Sequence, residues 1–215
     1  MIEYRKLKVL ILDYNQFESK NMSLMSSYIG RTQIHTLSLN YCRLGDVGGQ
    51  AIGEALMVSS SIRELRAKTN EFRDKTAKAL ASAFEENSVV EKVDLSNNLI
   101  NDAGGELLGL AIAVNQTLTH LNLRKNNLRA TSGAMFSQSM KENKTIKCLK
   151  LEKNPININF LEQIGKYIER NTIHMLEYHI VELRHNREGY LATQDQARQE
   201  CMDTDKKYTG KIGRL

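Results

Sequence analysis

One pattern constrains this chain more than any other: five marked positions recur along it with the same internal spacing of three, two, three and two residues. In the clearest copy they are Leu118, Leu121, Leu123, Asn126 and Leu128. The same ruler falls on Leu7, Leu10, Leu12, Asn15 and Phe17, on Ile34, Leu37, Leu39, Cys42 and Leu44, and on Ile62, Leu65, Ala67, Asn70 and Phe72. It falls again on Val90, Val93, Leu95, Asn98 and Ile100, and on Ile146, Leu149, Leu151, Asn154 and Ile156. The copies start at 7, 34, 62, 90, 118 and 146, a step of 27 once and 28 four times; a degenerate start at Ile173 is followed by Leu176 and Tyr178. A period in this range means a solenoid, because one such unit cannot bury its apolar face alone and must stack on its neighbours.

The pattern L-x-x-L-x-L-x-x-N/C-x-L resembles that of leucine-rich repeats, and its length resembles their ribonuclease-inhibitor-like subclass, over roughly residues 7 to 183. The resemblance implies an α/β solenoid, a horseshoe or arc with a parallel concave sheet and convex helices. The expected organisation is a solenoid over 1–183 and a C-terminal helix and tail over 184–215.

Each marked position has a physical role. Strand pleating sends Leu121 and Leu123 inward and His120, Asn122 and Arg124 outward. The asparagine closing each strand has an amide able to satisfy buried backbone groups in the turn. Asn15, Asn70, Asn98, Asn126 and Asn154 are thus expected to form a ladder, with Cys42 in the same place in the second repeat; the subclass alternates Asn and Cys there. Helical spacing follows each turn, at Ile52, Ala55 and Leu56, Leu80, Ala83 and Phe84, Leu108, Ala111 and Ile112, and Ile164, Tyr167 and Ile168. Gly48, Gly104 and Gly133 allow close approach near the helix starts. Asn87, Asn115, Asn143 and Asn171 are expected to end helices in the left-handed conformation.

Composition narrows the function. No apolar run is long enough to span a bilayer, "MIEYRKLKVLIL" lacks a signal-peptide cleavage site, and no amphipathic helix carries a basic cluster, so no membrane partner is expected. The net charge of +5 comes from bases interspersed with acids, which argues against nucleic acid. Three isolated cysteines, Cys42, Cys148 and Cys201, suggest neither a disulfide framework nor a zinc site, and favour a reducing cytoplasmic or nuclear setting. The histidines His35, His120, His174, His179 and His185 lack metal-pair spacing, and no nucleophile motif is present. No catalytic residue, metal or cofactor is therefore assigned, and the chain is expected not to be an enzyme.

The outward strand positions carry more information. In order they read Val9, Ile11, Asp13; Thr36, Ser38, Asn40; Glu64, Arg66, Lys68; Lys92, Asp94, Ser96; His120, Asn122, Arg124; Cys148, Lys150, Glu152. Tyr14 and Tyr41 share an offset in adjacent repeats, about 5 Å apart if their strands are neighbours. The expected site is the concave face: a protein partner with its apolar part near Val9, Ile11, Tyr14 and Tyr41 and an acidic part near Arg66, Lys68, His120, Arg124 and Lys150. With only "MIEYRK" before Leu7, the first strand and its leucines lack a cover, so either the chain is a piece of something longer or another protein caps that edge.

Resemblance supplies three settings. Short proteins of this subclass serve as small subunits of eukaryotic cytoskeletal assemblies, ciliary axonemes among them. Activators of the Ran GTPase are similar in kind, which would make Arg66 or Arg124 a donor to phosphoryl charge in trans. The segment "EYHI" near the C-terminus, followed by a charged helix opening at Thr193 and Gln196, is similar to the end of the actin-binding tropomodulin repeat domain, although the actin- and tropomyosin-binding helices that precede that domain are absent.

Overall fold

The computed structural model describes residues 7–17 and 19–173. The chain forms two compact units, Met1–Asn171 and Thr172–Leu215. The sequence expectations at Leu176, Tyr178, His174, His179, His185, Cys201, the "EYHI" segment and the Thr193–Gln196 capping pair lie outside the described residues.

Strands and helices alternate as the period requires: β1 (Val9–Ile11), α1 (Ser19–Ile29), β2 (Thr36–Ser38), α2 (Gly45–Val58), β3 (Glu64–Arg66), α3 (Asp74–Glu86), β4 (Lys92–Asp94), α4 (Asp102–Val114), β5 (His120–Asn122), α5 (Ala130–Glu142) and β6 (Cys148–Lys150). A last helix, α6, covers 158–173. Ile173, read from sequence as the start of a further repeat, is therefore still helical. The strands form one parallel sheet in chain order, with Leu10, Leu37, Leu65, Val93, Leu121 and Leu149 side by side. Helices α1 to α5 pack in the same order on the other layer.

The core lies between the layers. Leu37, Leu65, Leu95, Leu121 and Leu123 are buried beneath the strands, and Phe72, Phe84 and Phe136 fill the space under the helices. Helix α4 is pressed on both sides: a Cβ on Gly104 would lie 2.7 Å from the Ala77 Cβ, and one on Gly105 would lie 2.2 Å from the Ser132 Oγ. Only a residue without a side chain permits that approach.

Three hydrogen-bonded ladders tie each repeat to the next. In the first, Asn98 Nδ2 donates to the carbonyls of Ala67 and Leu95, while its Oδ1 accepts from the N–H groups of Asn70 and Phe72. Asn70, Asn126 and Asn154 make the corresponding bonds. The Cys42 thiol donates to the Leu12 carbonyl at 3.2 Å; Asn15, at the start, reaches only its own repeat's carbonyls at Leu12 and Asp13. In the second ladder, Asn87, Asn115, Asn143 and Asn171 donate to carbonyls of the preceding repeat. The left-handed termination expected of these residues is not what they do. Asn87 (φ −79°), Asn115 (φ −68°) and Asn143 (φ −66°) are extended, because their amides bridge repeats instead of bending their own backbone.

The third ladder was not foreseen. Asp46 accepts from the N–H groups of Arg73 and Thr76, Asp74 from those of Asn101 and Gly104, and Asp102 from those of Arg129 and Ser132. Each aspartate sits in the first turn of its own helix and caps the next one, satisfying N–H groups that have no partner inside that helix. Burial pushes the Asp102 carboxyl up, but hydrogen bonds from Ser132, Arg129 and Thr131 outweigh it and hold the group below 3.8. Ala130 interrupts the series, and Asn157 caps the start of α6 locally.

The first ladder sets a stability contrast. Replacing Asn98 by Ala strands several buried backbone groups at about 1–3 kcal/mol each, so Asn98→Ala is expected to cost roughly 3 kcal/mol or more in urea unfolding. Asn15→Ala, at an exposed end of the ladder, is expected to cost well under about 1 kcal/mol.

Candidate functional site

The sheet face presents two side-chain columns from the strands and a third just beyond them. The first is Val9, Thr36, Glu64, Lys92, His120 and Cys148; the second is Ile11, Ser38, Arg66, Asp94, Asn122 and Lys150. Not every outward position is open surface. Ser38 and Ser96 are buried, Ser38 beneath a network in which its hydroxyl and the backbone and side-chain N–H groups of Asn40 donate to the Asp13 carboxylate at 2.7–3.0 Å. Burial alone would raise the Asp13 carboxyl; those bonds, with a smaller contribution from the Arg66 charge, hold it below 3.8.

Beyond the strands the backbone enters the left-handed region at the same offset in each of the six described repeats: Tyr14, Tyr41, Thr69, Asn97, Lys125 and Lys153 have φ between 55° and 60°. None is glycine, and each such residue costs on the order of 1 kcal/mol. The turn holds them there because their N–H groups extend the inter-repeat bonding, as Tyr41 to the Lys68 carbonyl and Asn97 to the Arg124 carbonyl. Strict repetition of this turn puts Tyr14 and Tyr41 ring on ring, centroids 4.7 Å apart and 5° from parallel. The Lys68 ammonium lies 5.3 Å from the Tyr41 centroid, giving a stack of Lys68, Tyr41 and Tyr14. A hydrogen bond from Lys68, aided by the Lys68 and Lys125 charges, lowers the Tyr41 phenol below 10.0. Val9, Ile11 and Tyr14 are 50%, 61% and 74% exposed, so the stack adjoins an uncovered apolar patch on β1.

The other half of the face is positive. Arg66 is the exception among the predicted cations, because its Nε donates to Glu64 on the same strand at 2.8 Å, which works against its use as an arginine acting in trans. Lys68, Arg124 and Lys150 make no ion pair with any described residue. One depression, of about 200 Å³, runs from Glu64 and Arg66 past Lys92 and His120 to Cys148 and Lys150. A second, of about 280 Å³, is enclosed by Tyr41, Lys68, Asp94, Ser96, Asn97, Asn122, Arg124 and Lys125. Sequence reasoning missed Asn97, Asn122 and Lys125 as members of one site, although the 28-residue register brings them together. Among the described residues no three His, Cys, Asp or Glu side chains are grouped to hold a metal ion, and no described helix is long and apolar enough to cross a membrane.

A family model described as "Leucine Rich repeat" matches residues 32–53, 86–109 and 114–137. No curated protein matches the chain in sequence. Among solved structures, that titled "Leiomodin-1 Actin-Binding Site 2" superposes with a TM-score of 0.66 at 16% identity, covering 76% of this chain and 95% of that one. The tropomodulin C-terminal domain of Caenorhabditis elegans gives a TM-score of 0.65 at 11% identity, over 76% and 99%. At these identities the likeness is one of fold.

The electrostatics of the face can be read at His120. Partial burial, and then the charges of Lys92, Lys147 and Lys150, hold its imidazole below 6.5. Because folding lowers this pKa, the group's stabilising contribution is complete above about pH 6.5 and is lost as pH falls through the folded value. An NMR titration is expected to place His120 below 6.5, with Lys150→Gln moving it upward and His120→Gln flattening the acid-side loss of stability.

Proposed function

We propose, from the premise that the chain is a leucine-rich-repeat protein, that it is a non-catalytic scaffold holding another protein against its sheet face. The narrower part of the proposal makes it a small structural subunit of a cytoskeletal assembly, of which a ciliary axoneme is one by family resemblance. The single observation that carries the reading is the division of the face. An uncovered apolar patch with a stacked tyrosine pair lies at the β1 end, and Arg124 and Lys150, which have no ion-pair partner among the described residues, lie toward the other. Stacked tyrosines are rigid, so little conformational entropy is lost when a partner covers them. A partner apolar at one end and acidic at the other fits both.

A second reading, an actin-binding domain, is supported by the likeness to the actin-binding site of leiomodin-1. In that case actin itself is the protein held.

Cross-linking mass spectrometry on the protein purified from its native cells is expected to join Lys8, Lys68 and Lys150 to one stoichiometric neighbour. Against that neighbour, the double variant Tyr14→Ala, Tyr41→Ala is expected to lose on the order of 2 kcal/mol, about thirtyfold in affinity, with an unchanged unfolding transition. Unaltered affinity would move the site to the helix face or the C-terminal tail. Co-sedimentation with filamentous actin, abolished in the same variant, would instead select the second reading.

A further inference from the structure

The second recess has a chemistry of its own. Lys68, Arg124 and Lys125 converge on it from the third and fifth repeats, and none forms an ion pair with a described residue. Asp94 is the recess's one carboxylate, and its Oδ1 already accepts from the Ser96 N–H. The formal balance of three cations against one anion leaves two positive charges, matching a phosphate dianion rather than a single carboxylate. Asn122 accepts from the Arg124 N–H through Oδ1, while its Nδ2 donates to no described residue and is free for an anionic oxygen. Tyr41 reports the same convergence, since Lys68 and Lys125, two repeats apart, both act on its phenol. A planar guanidinium with a free fork beside two ammonium groups is the donor set that tetrahedral phosphate oxygens favour.

We infer that this recess binds the phosphate of a phosphorylated serine or threonine in the partner segment that crosses the sheet face. The inference rests on the sheet face being the binding surface and adds the chemical identity of what is bound there. The apolar patch argues for a phosphorylated protein segment over a nucleic acid. Val9 and Ile11 are on β1, and the side of the recess formed by Asp94, Asn122 and Arg124 lies three to four strands away, or about 14–19 Å at roughly 4.8 Å per strand. An extended peptide covers that span with about five residues. One segment therefore reaches both, with an apolar side chain on the patch and a phosphate in the recess.

The test uses the full 215-residue chain and three synthetic peptide libraries that differ only in a fixed central residue, phosphoserine, serine or glutamate. The phosphoserine library is expected to be retained at least tenfold better than the other two, enriched in apolar residues about five positions to one side. The double variant Arg124→Ala, Lys125→Ala is expected to lose that preference. Both side chains are exposed, so its thermal unfolding is expected to match the parent. Equal retention of the serine or glutamate library, or a preference that survives the double variant, overturns the inference. Tighter retention of single-stranded polyuridylate RNA overturns it in favour of a nucleic acid. If the phosphate preference is absent while the Tyr14, Tyr41 double variant still loses its cross-linked neighbour, only this inference falls; if that neighbour is unaffected as well, the sheet-face reading falls with it.

Discussion

Everything in this fold depends on the side-chain amide that, in the third to sixth repeats, bonds to backbone in two repeats at once. A solenoid strand followed by a sharp turn buries carbonyl and N–H groups that the next strand cannot reach, and unpaired groups of that kind are costly. Asn98 meets the demand with carbonyls on one side and N–H groups of residues 26 and 28 positions away on the other. Because the same bonds recur at Asn70, Asn126 and Asn154, neighbouring repeats are locked in register, and the register aligns everything else. The helix layer repeats the device with different chemistry, through Asn87, Asn115 and Asn143 at the helix ends and Asp46, Asp74 and Asp102 at the starts.

Such a frame separates folding from recognition. Inward leucines and ladder residues satisfy the core and the turns, which leaves the outward columns free to vary in charge and size without altering the backbone. The two tyrosines illustrate the consequence. Their stacking follows from identical left-handed turns in adjacent repeats, so an aromatic platform arises wherever two such positions are both aromatic. In later repeats the same positions are Asn97, Lys125 and Lys153, and the platform gives way to polar and cationic groups.

Sequence made part of this legible for a definite reason. The marked leucines and asparagines can each be only a few residue types, so their spacing survives reading in one dimension, and with it the strand order and the columns facing outward. The aspartate ladder was visible in "GDVGG" and "NDAGG" but was masked by glycines that drew attention to the turn, because an aspartate in a first turn is normally read as serving its own helix. The left-handed row could not be seen at all. Left-handed turns are inferred from glycine or asparagine, and here the positions hold Tyr, Tyr, Thr, Asn, Lys and Lys, kept in place by inter-repeat hydrogen bonds rather than by local preference. The asparagines ending the helices misled for the mirror reason: a residue type suited to the left-handed region was chosen for its amide.

The difference between Arg66 and Arg124 shows where the face holds its specificity. Both project from the same sheet, in repeats two apart, but Arg66 has a carboxylate on its own strand at 2.8 Å and Arg124 has none among the described residues. A partner anion gains little at Arg66, because it must compete with Glu64 in solvent, where a surface ion pair is already weak. At Arg124 the neighbouring Lys125 and Lys68 add their fields, and no resident carboxylate need be displaced, because Asp94 is held by the Ser96 N–H. The face therefore carries its unneutralised positive charge at Lys68, Arg124 and Lys125, is largely self-neutralised at Arg66, and is apolar and aromatic at the β1 end. A surface built in this way discriminates by requiring two unlike features at a fixed separation, which a rigid register of parallel strands can enforce and a single pocket cannot.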